Sequence, residues 1–305
     1  MAAADSNVTV RSSEPPKLHW RSRLRDLRRF REVLLNIVRK ELKVKYTSSV
    51  FGAVWSMINP LVFLGVFTLV FTVVLDNKVP HFPVYLLSGL LAWNLYSTST
   101  TSAVRSVIDN SNLVKKVYFP REVLPLASIG SALVDFALQS TVLILFMVAF
   151  RYPIHPENLV LLPIAIVALL LFTCAMSLLV AAINVHYRDT QHLLALLLLV
   201  WFWFTPVVYP SGYVQQAASK HTILGINLWH VYLLNPLADI MYGFQRALYG
   251  TVTAVVGGKP HQILVDESVA WIFGLLVLVS IGSIGFLYLT WRLFFRMSGD
   301  FAEEL

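Results

Sequence analysis

Long runs of apolar residues alternate along this chain with shorter polar segments. A run of about 20 apolar residues is long enough to cross a bilayer as a helix. Six runs of this kind predict six spans, namely Gly52 to Leu75, Val84 to Ile108, Val123 to Phe150, Leu159 to Val185, His192 to Tyr209 and Ser268 to Phe295. The pattern therefore predicts an all-α integral membrane protein with six transmembrane helices.

The segment before the first span has a different pattern. Residues 1–20 have a polar, Pro-containing composition and no apolar core, so we expect a disordered cytoplasmic tail and not a cleaved signal peptide. Residues 21–50 combine many Arg and Lys with apolar residues at helical spacing, which are Leu24, Leu27, Phe30, Leu34 and Leu42. This pattern predicts an amphipathic helix in the membrane interface, with a solvated charged helix or a calmodulin-like target as the alternatives. Residues 51–305 form the predicted transmembrane domain.

A long segment between the fifth and sixth spans is predicted to lie outside the cell. The run from Ile223 to Leu234 is mostly apolar, Asn235-Pro236 interrupts it, and Leu237 to Tyr249 continues with one apolar face. Runs this short re-enter a membrane more often than they cross it. We therefore expect two re-entrant outside half-helices, with an eight-span protein as the alternative.

Composition and charge agree with a membrane protein and give its orientation. The chain has 305 residues, 57% of them hydrophobic and only 13% charged, whereas soluble domains have roughly 25% charged residues. Its formal net charge is +7, and 19 of the 24 Lys and Arg residues lie on the side that holds both termini. The positive-inside rule makes that side cytoplasmic. The predicted location is the inner (plasma) membrane, with both termini in the cytoplasm. Charges that flank spans also argue against nucleic-acid binding.

The sequence shows no pattern typical of a catalytic or metal site. It lacks the Gly-rich loop of P-loop nucleotide-binding proteins, and its single cysteine, Cys174, excludes an intramolecular disulfide. His186 and His192 are not at the spacing of a zinc-binding helix. The acidic pair Asp266-Glu267 is better explained as the end of a loop or the cap of the sixth span. We therefore expect no catalytic residue, no metal and no cofactor bound by this chain.

Asp135 is the one carboxylate well inside a predicted span. A carboxylate in the membrane is either paired or part of a substrate or proton path. No chain of acidic or His partners accompanies it in the sequence. We expect a structural role within the bundle, with substrate or proton handling as the alternative.

Several motifs occur in a recognisable order along the chain. They are Val38 to Tyr46 running into Ser49 to Pro60, Leu87 to Asn94 with Gly89 and Trp93, Asn112 to Arg121, and Asn184 to Asp189 with Thr205 to Tyr209 and Asn235-Pro236. Together they resemble the permease subunit of type 2 ABC exporters, in the branch that moves lipid-linked polysaccharides such as O-antigens, teichoic acids and galactan. The resemblance covers about Arg21 to Phe295.

The resemblance implies a function for the whole chain. It implies a homodimer that works with two copies of a separate ABC ATPase, which binds the ATP and Mg²⁺, and that exports a polyprenyl-diphosphate-linked glycan. The chain itself would then be a transport subunit and not an enzyme. The alternatives are a membrane-embedded enzyme acting on polyprenyl-linked sugars and a proton-coupled secondary transporter that uses Asp135.

The resemblance also implies a surface that couples this chain to the ATPase. The short basic segment between spans two and three would press into a groove on the ATPase, with Phe119 as its apolar anchor, and the next cytoplasmic loop would lie beside it. The alternative is that its positive charges only set the topology. The coupling residues would be Asn112, Leu113, Lys115, Lys116, Tyr118, Phe119, Pro120, Arg121, Arg188 and Asp189.

Two further sets of residues are candidates for substrate contacts. Sugar rings stack on aromatic side chains, so the channel candidates are Trp55, Trp93, Trp201, Phe202, Trp203, Phe204 and Tyr209, with interfacial aromatic belts as the alternative. Trp201 and Trp203 should point to different faces of one helix. Arg side chains match phosphate oxygens, so Arg25, Arg28 and Arg29 are the candidates for the lipid phosphate. The segment from Ser97 to Ser102 is too polar for lipid and should face protein or water.

Overall fold

A computed structural model describes residues 20–47, 51–75, 79–223, 225–256 and 259–305, and most of the predicted tail lies outside these ranges. The helices are α1 (Trp20–Arg29), α2 (Arg31–Thr47), α3 (Trp55–Thr68), α4 (Phe82–Asp109), α5 (Ser111–Lys116), α6 (Val123–Ala149), α7 (Leu161–His186), α8 (Thr190–Phe204), α9 (Ser211–Ser219), α10 (Leu228–Tyr232), α11 (Pro236–Leu248), α12 (Val269–Met297) and α13 (Phe301–Glu304). A 3₁₀ turn, Gly52–Val54, precedes α3 and a π-helical segment, Leu69–Val74, follows it. The strands are β1 (Thr222–Ile223), β2 (Ile226–Asn227), β3 (Thr253–Val256) and β4 (Lys259–Gln262).

Within the described residues, four helical segments are long and apolar enough to cross a membrane. They are Gly52–Val74, Val123–Ala149, Leu161–His186 and Val269–Met297. They coincide with the first, third, fourth and sixth predicted spans. The body of the protein is thus the predicted helical membrane domain, and the full count of six spans stays a prediction.

The two other predicted spans correspond to α4 and α8, and each differs from an ordinary apolar span. Helix α4 has 28 residues, but its second half carries hydroxyl and charged side chains. Helix α8 has 15 residues and is therefore about 22 Å long, which is short of the roughly 30 Å hydrocarbon core. It ends at Phe204 and not at the predicted Tyr209, because Pro206 disfavours a helical backbone at Thr205, which is extended.

The segment predicted to be an interface helix is helical and forms α1 and α2, which are separated at Phe30. Helix α2 packs along α6. The two backbones come close at Gly130, where an added Cβ would lie 2.8 Å from Cγ2 of Val38. Ile37 is buried in the same contact area. The apolar face of α2 thus packs in part on the protein, and its exposed face keeps the basic residues.

The core is built around α7, which packs against α4, α11 and α12. Helix α11 is buried along nearly its whole length. Gly243 allows this close packing, because an added Cβ there would lie 2.8 Å from Leu276 of α12 and 3.0 Å from Ala165 of α7. The second predicted half-helix is therefore a helix enclosed by the bundle.

The segment that was predicted to lie outside the cell is less helical than expected. Among the described residues of the run from Ile223 to Leu234, only α10 is helical, and strands β1 and β2 before it form an antiparallel hairpin in which Thr222 pairs with Asn227. The expectation of one continuous half-helix here was wrong. Gly225 has a φ of +79°, and this conformation suits a turn and ends a helix. A second hairpin, β3–β4, pairs Thr253 with Gln262.

Candidate functional site

The predicted coupling segment follows α4 as the short helix α5 and an extended stretch that ends at Pro120. Asn112, Lys115 and Lys116 are exposed, and Leu113 is half-buried. The ring of Tyr118 is 92% exposed. The segment thus presents two lysines and one aromatic ring to the surroundings, a combination that suits contact with another protein.

Phe119 occupies a different place from the one expected of it. It is only 6% exposed and packs in a cluster that includes Val114, Phe294 and Phe301. A side chain buried in its own subunit is not free to anchor a partner. The exposed aromatic ring of this segment is Tyr118, and Phe119 holds the segment to the body of the protein.

The C-terminal helix α13 braces the coupling segment from behind, which the sequence did not indicate. Helix α13 contacts both α5 and the end of α7. Phe301 is fully buried, with its ring centroid 5.4 Å from that of Phe294 and 6.1 Å from that of His186. The guanidinium of Arg121 lies 6.0 Å from the same ring. Burial lowers the pKa of Arg121, and the charge of Glu122 opposes this effect.

The second coupling candidate lies at the start of α8. Arg188 and Asp189 are both exposed, directly after the end of α7 that α13 contacts. The structure thus brings the two predicted cytoplasmic segments to the same end of the bundle, with α13 between them.

Asp135 sits in a network of polar side chains from three helical segments. Its Oδ2 is 2.6 Å from Nζ of Lys45 in an ion pair. Its Oδ1 accepts hydrogen bonds from the hydroxyls of Tyr46, at 2.5 Å, and Ser56, at 2.7 Å. Asp135 is thus paired and hydrogen-bonded within the bundle and fastens α2 and α3 to α6.

The aromatic candidates divide into an interior set and a surface set. Trp93 is buried, and its ring centroid is 5.3 Å from that of Phe202. Trp201 is half-buried and lies 5.7 Å from Tyr96. Trp55, Trp203 and Phe204 are exposed. Trp201 and Trp203 thus differ in exposure, as neighbours two apart on a helix should.

Asn235, from the Asn-Pro motif, connects the start of α11 to the end of α8. Its side-chain carbonyl accepts from the backbone N–H of Leu237 at 3.2 Å, which caps α11, and from Nε1 of Trp201 at 2.9 Å. Its amide donates to the carbonyl of Phe204 at 3.1 Å. The motif therefore fixes where α11 begins relative to α8.

A cavity of about 640 Å³ opens beside this junction. Its aromatic lining includes Phe204, Tyr209, Tyr213 and Tyr232. Tyr209, a channel candidate, is half-buried, and its hydroxyl donates to the carbonyl of Trp203 at 2.8 Å. Two of the predicted channel residues thus share one aromatic cavity at this end of α8.

The three arginines predicted to meet lipid phosphate, Arg25, Arg28 and Arg29, are all exposed on α1. They lie before the break at Phe30, on the part of the interface helix that precedes its contact with α6. Their guanidinium groups are therefore available to a membrane surface.

Comparison with known proteins identifies a family and several relatives that match most of this chain. The profile of a family described as "ABC-2 type transporter" matches residues 32–249. The O-antigen export system permease protein RfbA of Myxococcus xanthus is 34% identical over 227 residues, which cover 74% of this chain and 84% of that protein. A protein of the same name from Klebsiella pneumoniae is 31% identical over 217 residues, or 70% of this chain and 79% of that protein. The polysialic acid transport protein KpsM of Escherichia coli is 22% identical over 209 residues, or 66% of this chain and 75% of that protein.

Proposed function

Because this chain belongs to the ABC-2 type transporter family, as a permease of its O-antigen and polysaccharide export branch, we propose that it forms the path through which a separate ATPase drives a polyprenyl-diphosphate-linked polysaccharide across the inner membrane. Two copies of the chain act with two ATPase subunits, which carry the ATP and Mg²⁺. The observation that carries the proposal is the coupling segment at one end of the bundle, which exposes Tyr118 and has α13 packed behind it.

The proposed coupling works through this segment, which its packing holds rigid. Tyr118 is the aromatic anchor in a groove of the ATPase, and Lys115 and Lys116 form the polar rim around it. Arg188 and Asp189 contact the same partner from the next loop. Because Phe119 and Phe301 pack behind the segment, a push on Tyr118 is carried into α4 and α7 instead of bending a loose loop.

The proposed membrane arrangement has six spans, with α4 as the second and α8 as the fifth. Both termini are cytoplasmic, as the positions of Lys and Arg favour. Helices α10 and α11 enter from the outside without crossing. The burial of α11 among α4, α7 and α12 supports this, since a helix enclosed by other helices need not be apolar on every face.

A second copy of the chain is proposed to meet the exposed apolar faces of α3 and α8. Val62 and Val66 of α3 and Leu196 and Leu199 of α8 are each more than half exposed. Lipid or another protein must cover such faces in a membrane. Pairing two copies across them would place Trp55, Trp203 and Phe204 beside the path between the copies, where their rings can stack on sugars.

The substrate first meets the interface helix. Arg25, Arg28 and Arg29 attract the diphosphate of the lipid carrier to the cytoplasmic surface, since guanidinium groups bind phosphate oxygens with paired hydrogen bonds. A proton-coupled secondary transporter that uses Asp135 is disfavoured, because this carboxylate already pairs with Lys45 and accepts hydrogen bonds from Tyr46 and Ser56.

The test is co-purification of the chain with its ATPase and assay of export in sealed vesicles. We expect Tyr118→Ala to lower ATPase binding and ATP-driven export together, because the anchor of the contact is lost. Val255→Ala is the control, since Val255 is an exposed side chain of β3, away from the coupling segment and from the aromatic cavity. Unchanged ATPase binding and export in Tyr118→Ala would contradict the proposed contact.

A further inference from the structure

Helix α4 carries a polar stripe on the half that leads to α5. The side chains recur every three or four residues, which places them on one face of the helix, and they are Thr98, Thr101, Ser102, Arg105 and Asp109. All but the half-buried Thr98 are exposed. Exposing an arginine and a carboxylate to hydrocarbon is costly. This face therefore belongs in water or against a polar ligand.

Two other helices direct polar side chains toward the same space. Lys40, Glu41 and Lys45 of α2 form the opposite wall, and Ser131 and Asp135 of α6 form the floor. Together with the stripe of α4 they enclose a groove of about 480 Å³. This volume is within the range of small-molecule binding sites. We refer to it as the polar groove.

The carboxylates of α2 and α6 in the groove are already engaged with neighbours. Asp135 is paired with Lys45 at 2.6 Å. Glu41 accepts hydrogen bonds from Ser131, at 2.8 Å, and Ser128, at 3.4 Å, and so points to the wall of α6. Burial raises the pKa of Glu41, and the two serines oppose that shift.

The cations of the groove are less fully neutralised. Nζ of Lys40 donates to the side-chain carbonyl of Asn110 at 2.9 Å, which is an uncharged partner. Within the described ranges, Lys40 and Arg105 form no ion pair. Besides the Lys45–Asp135 pair, the groove holds these two cations and the carboxylates of Glu41 and Asp109, so its formal charges balance. Because Glu41 is turned toward the serines of α6, the guanidinium of Arg105 and the ammonium of Lys40 keep hydrogen-bond donors available next to several hydroxyl groups.

We propose that the polar groove binds the phosphate-bearing head of the lipid-linked substrate, with Arg105 and Lys40 on the phosphate oxygens and Thr101 on a hydroxyl or phosphate oxygen. This inference rests on the proposed export function and assigns its substrate site. The prenyl chain stays in the bilayer beside α2, which lies at the membrane interface. The arginines of α1 gather the head group, and the groove holds it.

The test uses cysteine labelling of the full-length chain in phosphatidylcholine nanodiscs. Cys174→Ala removes the single native thiol, and Ser102→Cys then places one in the groove. Leu278→Cys is the matched control, since Leu278 is an exposed apolar residue of α12. We expect a water-soluble methanethiosulfonate to modify Ser102→Cys much faster than Leu278→Cys. Equal and slow labelling of both would overturn the groove as an aqueous site.

The second step adds farnesyl diphosphate as the probe, with farnesol as its uncharged counterpart. We expect farnesyl diphosphate to slow the labelling of Ser102→Cys several-fold and farnesol to leave it unchanged. Arg105→Gln should weaken this protection about tenfold, the effect of losing one strong charge-assisted contact. Arg31→Gln, on an exposed side chain of α2 outside the groove, should not weaken it.

Three results of this step would overturn the assignment. These are labelling that farnesyl diphosphate does not slow, protection that survives in Arg105→Gln, and equal protection by phosphatidylglycerol added to the nanodisc, which would make the groove a general phospholipid site. Failure of the proposed function is separate, because it would appear as absence of ATPase co-purification from the parent Cys174→Ala chain.

Discussion

Asp135 shows how one residue connects three helical segments of the bundle. The sequence identifies it as an unusual carboxylate in a span, but its partners lie 79 to 90 residues away in the chain. Proximity in sequence carries no information about such a contact. Only the packing of α2 across α6, which the absence of a side chain at Gly130 permits, brings Lys45 and Tyr46 to it.

Removing the cation of this pair should destabilise the protein. In Lys45→Met the nearly buried carboxylate of Asp135 loses its counter-charge. Breaking a buried pair costs about 3–5 kcal/mol, and we expect roughly 1–3 here because the Lys45 side chain is 45% exposed. Thermal unfolding of the detergent-solubilised protein measures this as a lower Tm.

The control and the double variant make the result specific. Lys43→Met removes an exposed cation of the same helix and should leave the Tm nearly unchanged. Adding Asp135→Leu to Lys45→Met should recover part of the loss, since the unpaired charge is gone. A Tm of Lys45→Met equal to that of Lys43→Met would contradict the role of the pair.

Among the elements, the coupling segment differs most from its expected form. The amino acids Phe119-Pro120-Arg121 look like an exposed apolar and basic patch when they are considered alone. The structure turns Phe119 inward because α13 supplies Phe301 as a second buried ring beneath it. A four-residue helix near the end of the chain carries too weak a pattern for this packing to be predicted.

Loss of the Phe301 packing should weaken the coupling of the permease to its ATPase without preventing membrane insertion. In Phe301→Ala the cavity beneath Phe119 should cost about 3–5 kcal/mol of local packing. We expect a looser coupling segment and a several-fold loss of ATP-driven export at normal permease abundance. Export assays in vesicles, normalised to permease content, measure the effect.

A conservative replacement of Phe301 tests whether apolar volume at this position is enough to hold the coupling segment. Phe301→Leu keeps most of the apolar volume and should restore much of the export, whereas the exposed Glu304→Ala should behave like the parent. If Phe301→Ala exported normally, the segment would not depend on α13.

The apolar run after Ile223 is a second case in which the apolar pattern alone did not decide between a helix and a strand. A short apolar run fits a strand or a helix equally well. The conformation of Gly225 and the pairing of Thr222 with Asn227 selected the hairpin. In contrast, the one-sided pattern of Leu237 to Tyr249 predicted α11 correctly, because three helical turns of periodicity leave little ambiguity.

At the scale of the whole molecule, the short helix α8 determines the number of membrane spans. In the proposed six-span arrangement, Lys115 and Arg188 face the cytoplasm and Lys220 faces outside. All three side chains are exposed. If α8 did not cross, Lys220 would share the cytoplasmic side with Arg188.

Single-cysteine variants in the Cys174→Ala background decide this. We expect an impermeant thiol reagent to label Lys220→Cys in right-side-out vesicles, and Lys115→Cys and Arg188→Cys only in inside-out vesicles. The extended Thr205 to Pro210 stretch would then complete the crossing that 15 helical residues begin. Labelling of Lys220→Cys and Arg188→Cys from the same side would contradict six spans.

The sequence alone determined the helical membrane class, four of the apolar spans and the family, because hydrophobic length and ordered motifs are properties of the chain read in one dimension. The tertiary structure decided which of those residues meet. It paired Lys45 with Asp135, turned Phe119 inward against Phe301, and brought the polar stripe of α4 opposite α2 to form the groove. These arrangements depend on how helices cross, and the crossings depend on contacts between residues far apart in the chain.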